Sequence, residues 1–144
     1  MLYLAYGSNL NMEQMALRCP NAVPIRGIQF KHFKLIFRHV ADITAEEDAV
    51  INLGVWDITQ ECEEALDRYE GYPNLYNKMF VEFDGDQYMT YTMNESGIAP
   101  PSDSYYETIE QGYADFGFDT KLLEQAKMLS IKRSLIERDY VTRY

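Results

Sequence analysis

Residues 1–15 read MLYLAYGSNLNMEQM, and they change character twice. Met1–Tyr6 is a short apolar run of the kind that forms a buried strand. Gly7, Ser8 and Asn9 interrupt it, and Asn11–Arg18 then takes on helical character until Cys19-Pro20. A strand, a turn and a helix start packed this closely leave several backbone N–H groups without intrahelical partners. Such a cluster suits a carboxylate or a developing oxyanion. It is also what an ordinary turn rich in Gly, Ser and Asn looks like, and on this stretch alone both readings stand.

Working outward, FKLIFRHV alternates Phe33, Leu35 and Phe37 against Lys34 and Arg38, the pattern of a half-buried strand. ITAEED (43–48) is a polar break and reads as a hairpin tip, after which AVINLGVWDI is again strand-like. Asp57 and Thr59 are candidate N-caps for an amphipathic helix carrying Cys62, Ala65, Leu66 and Tyr69 on one face. Gly71 stands where a C-capping glycine belongs. NKMFVEF and QYMTYTM flank Asp84-Gly85-Asp86, the signature of a β-hairpin. Pro100-Pro101 stops any strand, and Ser104 with Glu107 forms a capping-box pattern opening a further helix. A last helix starts near Thr120, with Leu122, Leu123, Ala126 and Leu129 on one side. Strands dominate the middle and helices the end, without βαβ alternation or repeats. The fold class is therefore α+β, one domain over residues 1–144, built on a mixed or mostly antiparallel sheet or small β-barrel with flanking helices.

The bulk numbers narrow the function. Among 144 residues, 23 Asp and Glu against 13 Lys and Arg give a formal charge of −10. That balance repels phosphate backbones and argues against a nucleic-acid partner. Cys19 and Cys62 lack CxxC spacing and read as two small buried hydrophobes of a reducing compartment. No basic-flanked apolar leader and no run of about 20 apolar residues is visible. A soluble, cytoplasmic protein without a membrane partner is expected.

Conventional catalytic sets are missing. His32 and His39 have no Cys or carboxylate partner at metal-ligand spacing, so no metal or other cofactor is expected, and Ser8 lies in no GxSxG elbow. Glu63, Glu64, Asp67 and Glu61 read as a solvated helix face. Glu70 differs. It falls in the last turn of its helix, where the dipole disfavours another negative charge. Tyr69, Tyr72, Pro73, Leu75 and Tyr76 surround it in sequence. Packing of those groups around it would raise its pKa by desolvation, towards the range of a proton shuttle.

The segments LAYGSNL, RCPNA, FKLIF, the Trp56-bearing strand, LDRYEGYPNLY and PPSDSYYETIEQGYADFG, in this order and spacing, resemble the gamma-glutamylcyclotransferase-like family, and more closely its cytosolic gamma-glutamylcyclotransferase branch. The resemblance implies a small β-barrel with a pocket at one end. It also implies a reaction in which a γ-glutamyl amide is cut by its own α-amine, giving 5-oxoproline and a free amine. On the same grounds Glu70 is the general acid/base. Tyr6, Gly7, Ser8, Asn9 and Leu10 hold the γ-glutamyl portion, and Tyr76, Tyr105 and Tyr91 supply pocket aromatics. The implied partner is a small γ-glutamyl substrate, and a homodimer is compatible with the family. Two departures stand out: Gly54 lies only two residues before Trp56, and Tyr72-Pro73-Asn74-Leu75 replaces a glycine-containing loop on the leaving-group side. Two other readings keep the fold: an enzyme deprotecting a γ-glutamylamine or γ-glutamylated intermediate of a secondary pathway, and a non-catalytic ligand-binding domain.

Overall fold

The computed structural model describes residues 1–94 and 97–143, the side chains of 137–143 excepted. The described elements are β1 (Leu2–Ala5), a 3-10 turn (Ser8–Leu10), α1 (Met12–Arg18), β2 (Val23–Arg38), β3 (Val40–Asp57), α2 (Gln60–Glu70), β4 (Tyr76–Phe83), β5 (Asp86–Met93), α3 (Asp103–Phe116) and α4 (Lys121–Arg143). The strands make one mixed sheet in the order β2-β3-β1-β5-β4. β1 is central, antiparallel to β3 (Tyr3 opposite Trp56) and parallel to β5 (Leu2 opposite Tyr88). A central strand is covered on both faces, which is why Tyr3, Leu4 and Ala5 are all buried and read as an unbroken apolar run.

The α+β expectation holds, but the sheet does not close into a barrel. Its edges, β2 and β4, share no ladder. They meet through side chains, with the rings of Phe30 and Phe83 5.2 Å apart. Twist accumulating along the 16 residues of β2 and 18 of β3 curls the sheet strongly. At the start of β3, Asp42 reaches across to β5, accepting from the Met93 N–H (2.9 Å) and the Thr92 hydroxyl (3.3 Å). Arg38 holds the same carboxylate at 2.8 Å.

The hairpin between β2 and β3 also departs from expectation. The chain reverses at His39 (φ 65°), and β3 runs straight through the polar stretch read as a tip. Pairing jumps from Lys31↔Val50 to Phe33↔Ala45. Residues 46–49 therefore bulge opposite His32, itself at φ 73°. A bulge interrupts the alternation of side chains just as a turn does, so sequence pattern alone confuses the two. The β4–β5 hairpin turns as expected at Asp84-Gly85, both at positive φ.

Thr59 caps α2 by accepting from the Cys62 N–H at 3.1 Å, and Gly71 ends it at φ 67°. Glu63 and Asp67 are not a merely solvated face: they grip Lys78 of β4 at 2.9 and 3.0 Å. The cap of α3 is Ser102, accepting from the Tyr105 N–H at 3.3 Å, so the expected Ser104–Glu107 box does not form. The cap falls directly after Pro101, two residues ahead of Ser104. α3 then presses on the turn after β1. A Cβ on Gly112 would lie 2.6 Å from Leu10 Cβ and 2.7 Å from the Asn11 nitrogen. Asn11 donates to the Thr108 carbonyl (3.0 Å), and the Met12 N–H to Asp115 (2.9 Å). Among the described residues no helix is long and apolar enough to cross a membrane.

Cys19 and Cys62 are not separate thiols. They form a disulfide with Cα atoms 5.1 Å apart, joining the end of α1 to the start of α2 across 43 residues. Both are buried, which is why each reads as a small hydrophobe in sequence. Constraining a loop of this length removes unfolded-state entropy equivalent to about 4 kcal/mol. Reduction, or Cys62→Ala, should therefore lower the melting temperature by on the order of 10 °C. Calorimetry with and without a dithiol reductant checks this, and an unchanged transition would refute the stapling role.

Candidate active site

Where β1 ends, a cavity of about 240 Å³ opens. It is smaller than the roughly 300–1,000 Å³ typical of ligand pockets, and suits a group the size of one amino acid. Tyr3 enters it from β1, Tyr6, Gly7, Ser8 and Asn9 from the turn, and Val40 and Ala41 from β3. Tyr69 and Glu70 come from α2, Leu75 and Tyr76 from the segment beyond it, Tyr91 from β5 and Tyr105 from α3.

Leu10 and Asn11 donate back to the carbonyls of Gly7 and Ser8, each at 3.0 Å. The amides of Ser8 and Asn9 have no acceptor among the described residues. Two N–H groups are therefore available beside the cavity, the arrangement that stabilises a carboxylate or an oxyanion. Gly7 is needed here for closeness. A Cβ would come within 2.9 Å of Ala41 Cβ and 3.3 Å of the Tyr105 hydroxyl. The Ser8 hydroxyl is engaged with that of Tyr69 at 3.2 Å. Leu10 stands apart from the other turn residues: its side chain is fully buried between Gly54 and Gly112 and does not line the cavity.

Glu70 closes one side. Desolvation raises its carboxyl to about 7, against the opposing pull of the Arg18 guanidinium and a hydrogen bond from Asn9. The Asn9 Nδ2 donates to Glu70 Oε1 at 3.2 Å and to the Tyr3 hydroxyl at 2.9 Å. The aromatic crowding foreseen from LDRYEGYPNLY is supplied only in part by that segment. Tyr69, Leu75 and Tyr76 face the cavity, while Tyr72 is exposed beneath the Lys78 ammonium, 4.4 Å from its ring centre. Tyr3, Tyr6, Tyr91 and Tyr105 complete the wall from elements distant in sequence.

The phenols are tied to the frame. Tyr6 donates to the Tyr91 carbonyl (2.6 Å), Tyr91 to Asp67 (2.6 Å) and Tyr76 to the Ala41 carbonyl (2.8 Å). The Tyr105 hydroxyl accepts from the Ala41 N–H at 3.0 Å, so its own proton is free for a bound group. Burial raises the pKa of Tyr3, Tyr6, Tyr76, Tyr91 and Tyr105 well above the ordinary phenol value, and all stay neutral. A desolvated, half-buried carboxyl and two free amides lining one cavity walled by neutral phenols can move a proton beside a centre that gains negative charge.

Tyr3 and Arg18 are site residues that the sequence did not reveal. Tyr3 is masked by its apolar strand. Arg18 sits in the last turn of α1, where a cation is expected simply to complement the helix dipole.

The chain matches the family profile described as gamma-glutamyl cyclotransferase, AIG2-like, over residues 3–113. No curated protein matches it. A solved structure described as a gamma-glutamyl cyclotransferase superposes with a TM-score of 0.75 at 27% identity, covering 88% of this chain and 85% of its own. A Homo sapiens protein described as uncharacterized superposes at 0.76 with 28% identity and the same coverages of 88% and 85%. An AIG2-like protein of Mus musculus shares the fold at 17% identity, TM-score 0.52, covering 72% of this chain and 80% of its own.

The raised carboxyl has a consequence for stability. A group that binds its proton more tightly when folded stabilises the fold at low pH. That stability is lost as pH climbs from the ordinary value of 4.5 through about 7. At pH 8 the ionised carboxylate costs about 1–3 kcal/mol. Glu70→Gln removes the titration, so it should be more stable than wild type by that amount at pH 8 and equal to it at pH 4. Urea unfolding at the two pH values measures the difference, and a gain independent of pH would count against the desolvated carboxyl.

Proposed function

Since this chain belongs to the gamma-glutamyl cyclotransferase, AIG2-like family, we propose that it cleaves a γ-glutamyl amide by internal cyclisation, releasing 5-oxoproline and a free amine. The observation that carries this reading is the placement of the Glu70 carboxyl and the free amides of Ser8 and Asn9 on one small cavity. The substrate brings its own nucleophile, its α-amine, and the protein's part is to bend, deprotonate and stabilise.

In this reading the turn and Tyr105 hold the γ-glutamyl group folded, so that the α-nitrogen reaches the γ-carbonyl carbon. Orientation of this kind can supply several kcal/mol, within a range of about 7–11 for ideal alignment. Glu70, as carboxylate, takes a proton from the α-ammonium. The amine attacks, a C–N bond forms, and the γ-oxygen gains charge beside the Ser8 and Asn9 amides. The tetrahedral centre then collapses, the original amide C–N bond breaks, Glu70 returns its proton to the departing nitrogen, and the surplus proton on the ring nitrogen leaves with that amine as its ammonium. One carboxyl serves as base and then as acid, for which a pKa near neutrality is the suitable value. The bound partner is a small γ-glutamyl compound, with no cofactor taking part. A cytoplasmic setting belongs to the same proposal, and requires that the buried Cys19–Cys62 bridge persist there.

γ-Glutamyl dipeptides, γ-glutamyl amines and glutathione, offered in turn with 5-oxoproline as the readout, test the reading. Wild type is expected to release 5-oxoproline from at least one class, and Glu70→Gln to lose about 10²–10⁴ in rate. Because the active form is the carboxylate, kcat/KM should fall tenfold per pH unit below about 7 and level off above it. Equal turnover by wild type and Glu70→Gln would overturn the mechanism.

A further inference from the structure

Resting on the reading above, we infer that Arg18 is a positioning residue for the reaction, acting on Glu70 through the side chain of Asn9. The Arg18 Nη1 donates to Asn9 Oδ1 at 2.9 Å, and Asn9 Nδ2 donates to Glu70 Oε1 at 3.2 Å. A carboxamide has one oxygen and one NH₂ group, and a guanidinium can only donate. With the oxygen fixed on Arg18, the NH₂ must face Glu70 and Tyr3. Were the amide to turn over, its oxygen would face the carboxylate and repel it. Arg18 thus decides which end of Asn9 meets the shuttle.

The guanidinium is itself held on three sides. Its Nη2 reaches Gln14 Oε1 at 3.1 Å and the Tyr69 hydroxyl at 2.8 Å, and its central carbon lies 3.8 Å above the Tyr69 ring. Planarity and a fixed fork of donors permit this set of contacts, and a lysine ammonium cannot reproduce them together. Adjacent Cys19 binds α1 to α2, the helix bearing Glu70. Arg18 does not line the cavity, so its part is played at one remove from the substrate.

Charge around Glu70 isolates the effect. Tyr3, Tyr6, Tyr76, Tyr91 and Tyr105 face it from β1, the turn after it, β4, β5 and α3 as neutral phenols, and Tyr69 beside it lies under Arg18. The carboxylates nearest those phenols, Asp42 and Asp67, are paired with Arg38 and Lys78. Arg18 is the cation that favours the ionised form of Glu70, working with the Asn9 hydrogen bond. Removing it takes away both charge and orientation, and a lysine returns the charge alone.

The experiment compares Arg18→Met and Arg18→Lys with wild type by pH-dependent kinetics, and follows the Glu70 carboxyl carbon by NMR titration without substrate. Arg18→Met should lower kcat about 10–100-fold with KM within about threefold, and raise the Glu70 midpoint by roughly half to one pH unit. Arg18→Lys should return the midpoint to near the wild-type value while leaving kcat several-fold low. An unshifted midpoint with unchanged kcat in Arg18→Met overturns the inference, as does a loss confined to KM. If Arg18→Met fails to fold, wild-type kcat in Arg18→Lys overturns it and a depressed kcat with a normal midpoint supports it. Absence of turnover by wild type on every substrate would instead defeat the proposed reaction. The NMR titration still judges the hold of Arg18 on Glu70.

Discussion

The cavity depends first on how closely α3 approaches the chain after β1. Gly112 leaves room for the backbone of Leu10 and Asn11 to lie against the helix, and a single methyl there would sit inside contact distance. Asn11 then does two things at once. It caps α1 by accepting from the Gln14 N–H, and it donates to the Thr108 carbonyl of α3. Each such bond contributes about 1 kcal/mol net, but their joint effect is geometric. With Leu10 sealed between Gly54 and Gly112, the turn is held where Ser8 and Asn9 line the cavity.

The second constraint is the wall of tyrosines. Phenylalanine would exclude water equally well, but the hydroxyls knit together strands that share no ladder at this end. The Ala41 peptide shows the principle: its N–H goes to Tyr105 of α3 and its carbonyl receives Tyr76 of β4. A rim held by side chains replaces the closure that a barrel would have provided, and Asp42 performs the same service for the ends of β5 and β2. The wall is thereby cross-linked and uncharged, and burial against it holds one carboxyl near neutrality. The stability this forfeits is what the proposed role of Glu70 as a proton shuttle would cost the fold.

Local chemistry made much of this legible. The Thr59 cap, the Gly71 stop, the Asp84-Gly85 hairpin and the strand–turn–helix at Tyr6–Leu10 are each settled by residues within a few positions of one another. Apart from the α3 cap, which falls on Ser102 and not on Ser104, the departures are long-range. Glu46–Ala49 bulges because of pairing with a strand 15 or so residues earlier, and no composition distinguishes that from a tip. Joining Cys19 to Cys62 requires α1 and α2 to end side by side, which spacing alone does not state. Barrel closure depends on the accumulated curl of two long strands. Asn9 was legible as a turn residue and Glu70 as a helix-end acid, and the turn and the acid were expected to share one pocket. The guanidinium between the two helices was not, because its partners lie on three separate elements.

Trp56 is the sole indole of the chain. It is almost fully buried, paired in register with Tyr3 of β1, and its ring meets Phe116 of α3 edge-on at 5.7 Å. Its fluorescence is therefore a private channel on the junction of sheet and helix, uncontaminated by a second tryptophan. Emission from this one ring reports the seating of the helix that clamps the turn, while the cavity's phenols absorb at shorter wavelength. The fold carries its own optical label at the hinge on which the site's assembly turns, and no dye or substitution is needed to watch it form.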